Sequence, residues 1–244
     1  MNFTSKNLKL IFGFIYLLIL FLILYFLFSI VDIRDLTSYE FIRTNKDIIL
    51  KYKNENFIFL TTVFFIFSVI WYLLLGFAGP ILLFSGFVFG KWYGVLMAVI
   101  AASVGTTCLY LLAKIFFTDL IKKKLEPKFL KLKVAFQKNE LLYFTLYRFA
   151  GGGGIPYGIQ NILPVLFNIS IKNYFIGTFF GSWPTMFITV SLGAGIEKYI
   201  DRNEKLSFFK IISSPDIYLP IIGFFLIIFL TYLVKKFFFK TKES

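Results

Sequence analysis

The chain has 244 residues, of which 58% are hydrophobic and 16% charged, and its 35 phenylalanines and 14 tyrosines add a large aromatic mass. That balance lies outside the soluble range and reads as a polytopic membrane protein, with rings suited to lipid contact and interfacial belts. The net charge of +13 does not point to nucleic acid, because the lysines cluster beside apolar spans, as the positive-inside rule and anionic headgroups favour. The lack of histidine and the single cysteine, Cys108, exclude His-based metal sites, His triads and an intramolecular disulfide.

In chain order, Lys6 and Lys9 precede an uncharged tract from Leu10 to Val31. It is too long for the core of a signal peptide and is expected to span the bilayer as an anchor. Residues 32–56 carry five basic and five acidic residues with scattered apolar ones, which suits an interfacial helix. Residues 57–117 are apolar apart from Lys91 and Lys114. Gly76, Gly79 and Pro80 interrupt this tract, and Gly86, Gly90 and Gly94 follow four apart. Cys108, in the same run, is expected to be a small packing residue. Residues 118–140 hold seven lysines against three acids. There Phe129, Leu132 and Phe136 share a helical face, so the segment reads either as an amphipathic helix on an anionic surface or as a solvated basic loop. Residues 141–195 form the second apolar tract, 197–216 are charge-balanced, and Ile217 to Val234 is a final span before four lysines.

The stretch from Tyr147 to Pro184, YRFAGGGGIPYGIQNILPVLFNISIKNYFIGTFFGSWP, cannot be one ordinary helix. Gly151, Gly152, Gly153 and Gly154 are costly in a helix, and Pro156 and Pro164 each remove a backbone donor. Arg148 brings a fixed charge, and Gln160 and Asn161 bring amides. Non-helical backbone at membrane depth is tolerated only where protein covers it or it lines a wet cavity, which favours a re-entrant hairpin at a pathway or binding site. The alternative is a pair of short helices with a glycine turn and a snorkelling arginine.

The positive-inside rule places the N-terminus, the lysine loop and the C-terminal tail in the cytoplasm. One crossing then has to account for the 61 residues of 57–117, leaving enough chain for a hairpin that returns to its own side. The same arithmetic holds for 141–195 from the opposite face. The expected fold is therefore an all-α polytopic membrane protein. It comprises an inverted repeat of hairpin plus transmembrane helix, flanked by N- and C-terminal spans, with segments 1–56, 57–196 and 197–244. Hairpin breaks are expected at Gly79-Pro80 and at Gly151–Pro156 with Pro164. The ladders Gly86, Gly90, Gly94 and Gly177, Gly181, with Pro184, are expected to pack helices in the small-xxx-small manner.

The tract GFAGPILLFSGFVFGKWYGVLMAVIAASVGTTCLYLLAKIF and the stretch above resemble the two halves of the VTT domain of the DedA superfamily, which includes the SNARE-associated Golgi protein group. The resemblance covers roughly residues 57–196. It rests on Arg148, the pair Pro156-Tyr157, Asn161, and Gly181 with Pro184, in that order. It implies two opposed re-entrant hairpins and a role in moving lipids across bilayers, by phospholipid scrambling or polyprenyl-phosphate flipping. The acidic residues to which proton coupling is assigned in the DedA branch have no counterpart here. Neither 57–117 nor 141–195 contains Asp or Glu, which favours passive scrambling.

The first functional expectation is thus a lipid transporter or scramblase in the bacterial cytoplasmic membrane. Arg148 would attract an anionic headgroup or phosphate through its forked donors, with Tyr157, Gln160 and Asn161 completing the site. The alternatives are a small-solute or ion transporter and a non-transporting assembly factor. No enzyme chemistry, cofactor or metal is expected. Membrane lipids and anionic headgroups are the expected partners, and a homo-oligomer is left open.

Overall fold

The computed structural model describes residues 39–74, 77–125 and 138–201, with Phe129, Phe136 and isolated positions between 11 and 25 and between 213 and 229. Among them every regular element is a helix. The expected N-terminal anchor at 10–31, the final span at 217–234, Gly76, Leu132 and most of the lysine loop lie outside the described residues.

The elements are α1 (Tyr39–Glu55), α2 (Phe57–Leu73), α3 (Ala78–Phe89), α4 (Lys91–Phe116), α5 (Thr118–Leu125), α6 (Glu140–Phe149), α7 (Tyr157–Ile162), α8 (Ile171–Gly181) and α9 (Trp183–Asp201). Tight 3-10 turns at Gly151–Gly154 and Leu163–Phe167 flank α7. The helix α4 is by itself long and apolar enough to cross a membrane. Ile171–Gly181 and Trp183–Gly195 qualify as one span bent by 46°, and Asp47–Glu55 with Phe57–Leu73 as a pair bent by 107°.

Small residues let α4 sit at the centre. Gly94, Ala98, Ala101, Ala102 and Gly105 are buried along it, so neighbouring backbones come close. A Cβ on Gly105 would meet the Val69 carbonyl of α2 at 2.5 Å, and one on Gly94 the Ser85 carbonyl of α3 at 2.8 Å. The buried hydroxyls of Ser103, Thr106 and Thr107 donate to the carbonyls of Val99, Ala102 and Ser103, at 2.7, 2.7 and 2.6 Å, so α4 carries polar atoms in its core without leaving them unpaired.

Two apolar cores form at opposite ends of α4. At its N-terminal end Phe57 and Phe89 lie 6.2 Å apart, and Phe57 and Tyr93 5.3 Å apart, so α2 and α3 start and finish at the same level. At the other end the Tyr110 hydroxyl donates to the Ile169 carbonyl at 2.5 Å. There the Glu140 carboxylate that opens α6 accepts from the Ser170 amide at 3.3 Å, from its hydroxyl at 2.8 Å, and from the Asn173 amide. The segment 140–170 thus also leaves and returns at one level, opposite the first. Between the two ends the breaks touch: Tyr72 and Tyr157 have ring centroids 6.1 Å apart.

The helices α3 and α9 pack in antiparallel sense, Gly86 against the Val190 carbonyl and Gly193 against that of Leu83. Gly177 presses on Phe144 and Gly181 on Thr145 and Arg148, joining α8 to α6. Four expected placements differ. Gly79 and Pro80 lie in the first turn of α3 rather than at the break, because a proline ring there displaces no helical hydrogen bond. Gly90 is not a packing glycine. Its φ is 75°, and a Cβ at that position would have nothing within 4 Å, so it supplies the left-handed turn between α3 and α4. Pro184 sits in the first turn of α9 and marks the bend after α8. Cys108 is exposed on α4 rather than packed.

Gly86→Ala is expected to destabilise the protein, because the Cβ would fall 1.9 Å from the Val190 carbonyl oxygen. Overpacking of this kind costs about 1–3 kcal/mol. Gly79→Ala, in open space, should be neutral, and thermal unfolding in detergent distinguishes the two.

Candidate functional site

The glycine run makes a tight turn that no helix could continue. Gly151 and Gly152 have φ of 65° and 72°, a region that L side chains rarely adopt. A Cβ on Gly152 would also meet the Gln160 amide at 2.1 Å. The turn exposes carbonyls at apolar depth, where each needs a donor. Gln160 supplies two, its amide nitrogen donating to the Gly151 carbonyl at 2.9 Å and the Ile155 carbonyl at 2.5 Å. Gln160, expected to face a substrate, instead holds the break together.

Arg148 is neither snorkelling nor open to solvent, being 4% exposed. Its Nη1 donates to the Asn161 side-chain oxygen at 2.7 Å, and its Nη2 to the Tyr174 hydroxyl at 2.7 Å. That hydroxyl in turn donates to the Asn161 carbonyl at 3.0 Å. The guanidinium carbon lies 5.2 Å from the Phe144 ring centroid and 5.4 Å from that of Tyr174, within cation–π range. A second tyrosine, Tyr110, stacks on Tyr174 with centroids 4.5 Å apart. The cation is therefore held by two neutral acceptors and two aromatic faces, a combination that the planar guanidinium suits.

Arg148 Nε, the Asn161 amide nitrogen and the Tyr72 hydroxyl are among the buried side-chain atoms with no hydrogen-bond partner, as is the hydroxyl of Tyr147 beside Arg148. Tyr157 stands between them, its ring against Tyr72 and its phenol close enough to sense the Arg148 charge and the Asn161 amide. The structure thus brings Arg148, Tyr157, Gln160 and Asn161 together beside the break, and adds Tyr72, Phe144 and Tyr174, which sequence reasoning did not select. One signal for Tyr174 was present. Tyr174, Gly177 and Gly181 recur at helical spacing on the face that meets α6. The contact of Tyr72 with the second break depends on long-range packing and had no local signal.

Helical throughout the described residues, with one long apolar span, bent helix pairs and a buried arginine, the chain has the character of a helical membrane protein. Residues 76–195 match the VTT domain. These residues, about half of the chain, form a VTT domain. The chain is also similar to a transmembrane protein 41 homolog from Dictyostelium discoideum, with 28% identity over 173 residues, covering 68% of this chain and 50% of that protein. The chain spans about half the length of this curated relative. No solved structure matches it.

Tyr174→Phe keeps the stacking but removes the acceptor of Arg148 Nη2. Leaving a buried donor unmatched costs about 1–3 kcal/mol, and more when the donor is charged, so a lower unfolding temperature in detergent is expected. Cysteines replacing Tyr72 and Tyr157 in a Cys108→Ala background should be joined by a short bifunctional thiol reagent within one chain. Electrophoresis showing only chain-to-chain products would contradict the contact.

Proposed function

We propose that this protein is a lipid transporter or scramblase that carries an anionic lipid, of phospholipid or polyprenyl-phosphate type, between two opposed re-entrant hairpins. The observation that carries the reading is the trio of buried, unmatched donors where the breaks touch, Arg148 Nε, the Asn161 amide and the Tyr72 hydroxyl. Donors without acceptors in an apolar interior are costly, and a phosphate oxygen satisfies several at once. Both broken pairs contribute to the trio, so a headgroup bound there would contact the two halves together. Discontinuous helices meeting near the bilayer midplane are the usual setting of a transport site.

In this reading α2–α3 and α6–α7 each enter and leave on one side, and α4 and α8–α9 cross, forming an inverted repeat. Supporting it, the two pairs open toward opposite ends of α4. The lysine-rich end of α5 (Lys122, Lys123, Lys124) is assigned to the cytoplasm of a bacterial inner membrane, with both chain termini on that side. Near this end Gly13 lies against the Phe117 ring. With no acid in either apolar tract, movement is down a gradient rather than proton-driven.

The test is reconstitution into liposomes holding a headgroup-labelled phosphatidylglycerol, with an impermeant reductant reporting inner-leaflet label reaching the outside. The parent protein should expose that label. Arg148→Lys should lose much of the rate although it keeps the charge, and Tyr72→Phe should slow it with packing intact. All variants must first insert at parental levels. Arg148→Ala moving lipid at the parental rate would sink the site. A parent that moves no lipid but admits a soluble ion would favour the small-solute reading.

A further inference from the structure

We propose that α1 lies in the plane of the membrane as an interfacial anchor, with Ile48 and Tyr52 at the boundary of headgroups and acyl chains and a charged row in water. The segment Asp47–Glu55 makes an angle of 107° with Phe57–Leu73. If α2 descends into the bilayer, α1 must run along its surface, because Asn56 is the one residue between them.

The side chains of α1 divide into three sectors, as a helix at such a boundary requires. Ile49, Leu50 and Lys53 are half-buried, and Ile49 packs against the core around Phe64 and Val95. Asp47, Lys51 and Glu55 form an exposed row at four-residue spacing, with Lys51 and Glu55 4.0 Å apart. Between these sectors, Ile48 is 67% and Tyr52 46% exposed, one turn apart. A helix with one face on protein, one charged and one apolar and uncovered fits a surface where water and hydrocarbon meet.

Two features away from α1 place that surface at the same level. Past the turn, α2 exposes Ile58 (81%), Phe59, Val63, Ile66 and Ile70, an apolar face suited to acyl chains. Where α1 turns into α2, the rings of Phe57, Phe89 and Tyr93 gather, and beside them Trp92 is 69% exposed. An exposed tryptophan with a half-buried tyrosine beside it at a helix start is the pattern of a membrane–water interface. The occupant of the α1 stripe is thus the bilayer. Two side chains supply far less area than the roughly 800 Å² per partner of a stable protein interface, which argues against a second copy. Anchored in this way, α1 sets the depth of the α2–α3 pair.

The test uses the full chain with Cys108→Ala and single cysteines at Ile48, Tyr52, Lys51 and Val63, each labelled with bimane in phosphatidylcholine–phosphatidylglycerol vesicles. Spin-labelled lipid should quench positions 48 and 52 severalfold more than 51, close to the level at the α2 reference, 63. Iodide on both sides should quench 51 severalfold more than 48 and 52. Equal iodide quenching at 48, 51 and 52 would overturn the proposal in favour of a solvated helix. Shielding of 48 and 52 from both quenchers would overturn it in favour of a protein partner. The outcome is independent of whether the vesicles transport lipid.

Discussion

A buried cation without a carboxylate is the constraint on which the second half of this structure depends. Neither apolar tract contains Asp or Glu, so Arg148 cannot be neutralised by a partner within them. It is instead spread over an amide oxygen, a phenol oxygen and two ring faces. Those groups come from three residues on three elements, Phe144 on α6, Asn161 on α7 and Tyr174 on α8. The requirement to solvate one guanidinium therefore fixes how three helices meet. Gly181 follows from the same demand, since any side chain there would collide with Arg148 at its Cβ, 2.6 Å away.

The broken backbone imposes a second demand, met locally. Carbonyls released by the glycine turn have no water at that depth, and Gln160 returns from α7 to act as donor for two of them. At the open end, Glu140 does the converse for the start of α8, accepting from the Ser170 amide and from side chains beside it. A carboxylate at a helix N-terminus also complements the helix dipole. Polar residues here close off backbone groups first. Arg148 Nε, the Asn161 amide and the Tyr72 hydroxyl are among the side-chain atoms that remain unmatched.

Close approach of backbones does the rest. The ladders at Gly86, Gly94, Gly105, Gly177, Gly181 and Gly193 let helices touch through carbonyls and side-chain stems, which replaces a hydrophobic driving force that hydrocarbon surroundings do not supply. Among the described residues the chain changes direction at Asn56, between α2 and α3, at Gly90, at the glycine turn 151–154, at Asn168 and before Trp183.

Composition alone marks a helical membrane protein, since no soluble core accommodates such an apolar fraction. The sequence by itself located the glycine break, because four glycines and two prolines forbid a helix whatever surrounds them. It also selected Arg148, Tyr157, Gln160 and Asn161 as neighbours, since they lie within 13 residues. Their tasks depend on contacts between distant segments. Gln160 serves the backbone, Arg148 is enclosed rather than snorkelling, and Tyr72 and Tyr174 join from distant segments. Local composition states which groups need partners at apolar depth. Which partners they find depends on helices separated by tens of residues, and that is settled by packing alone.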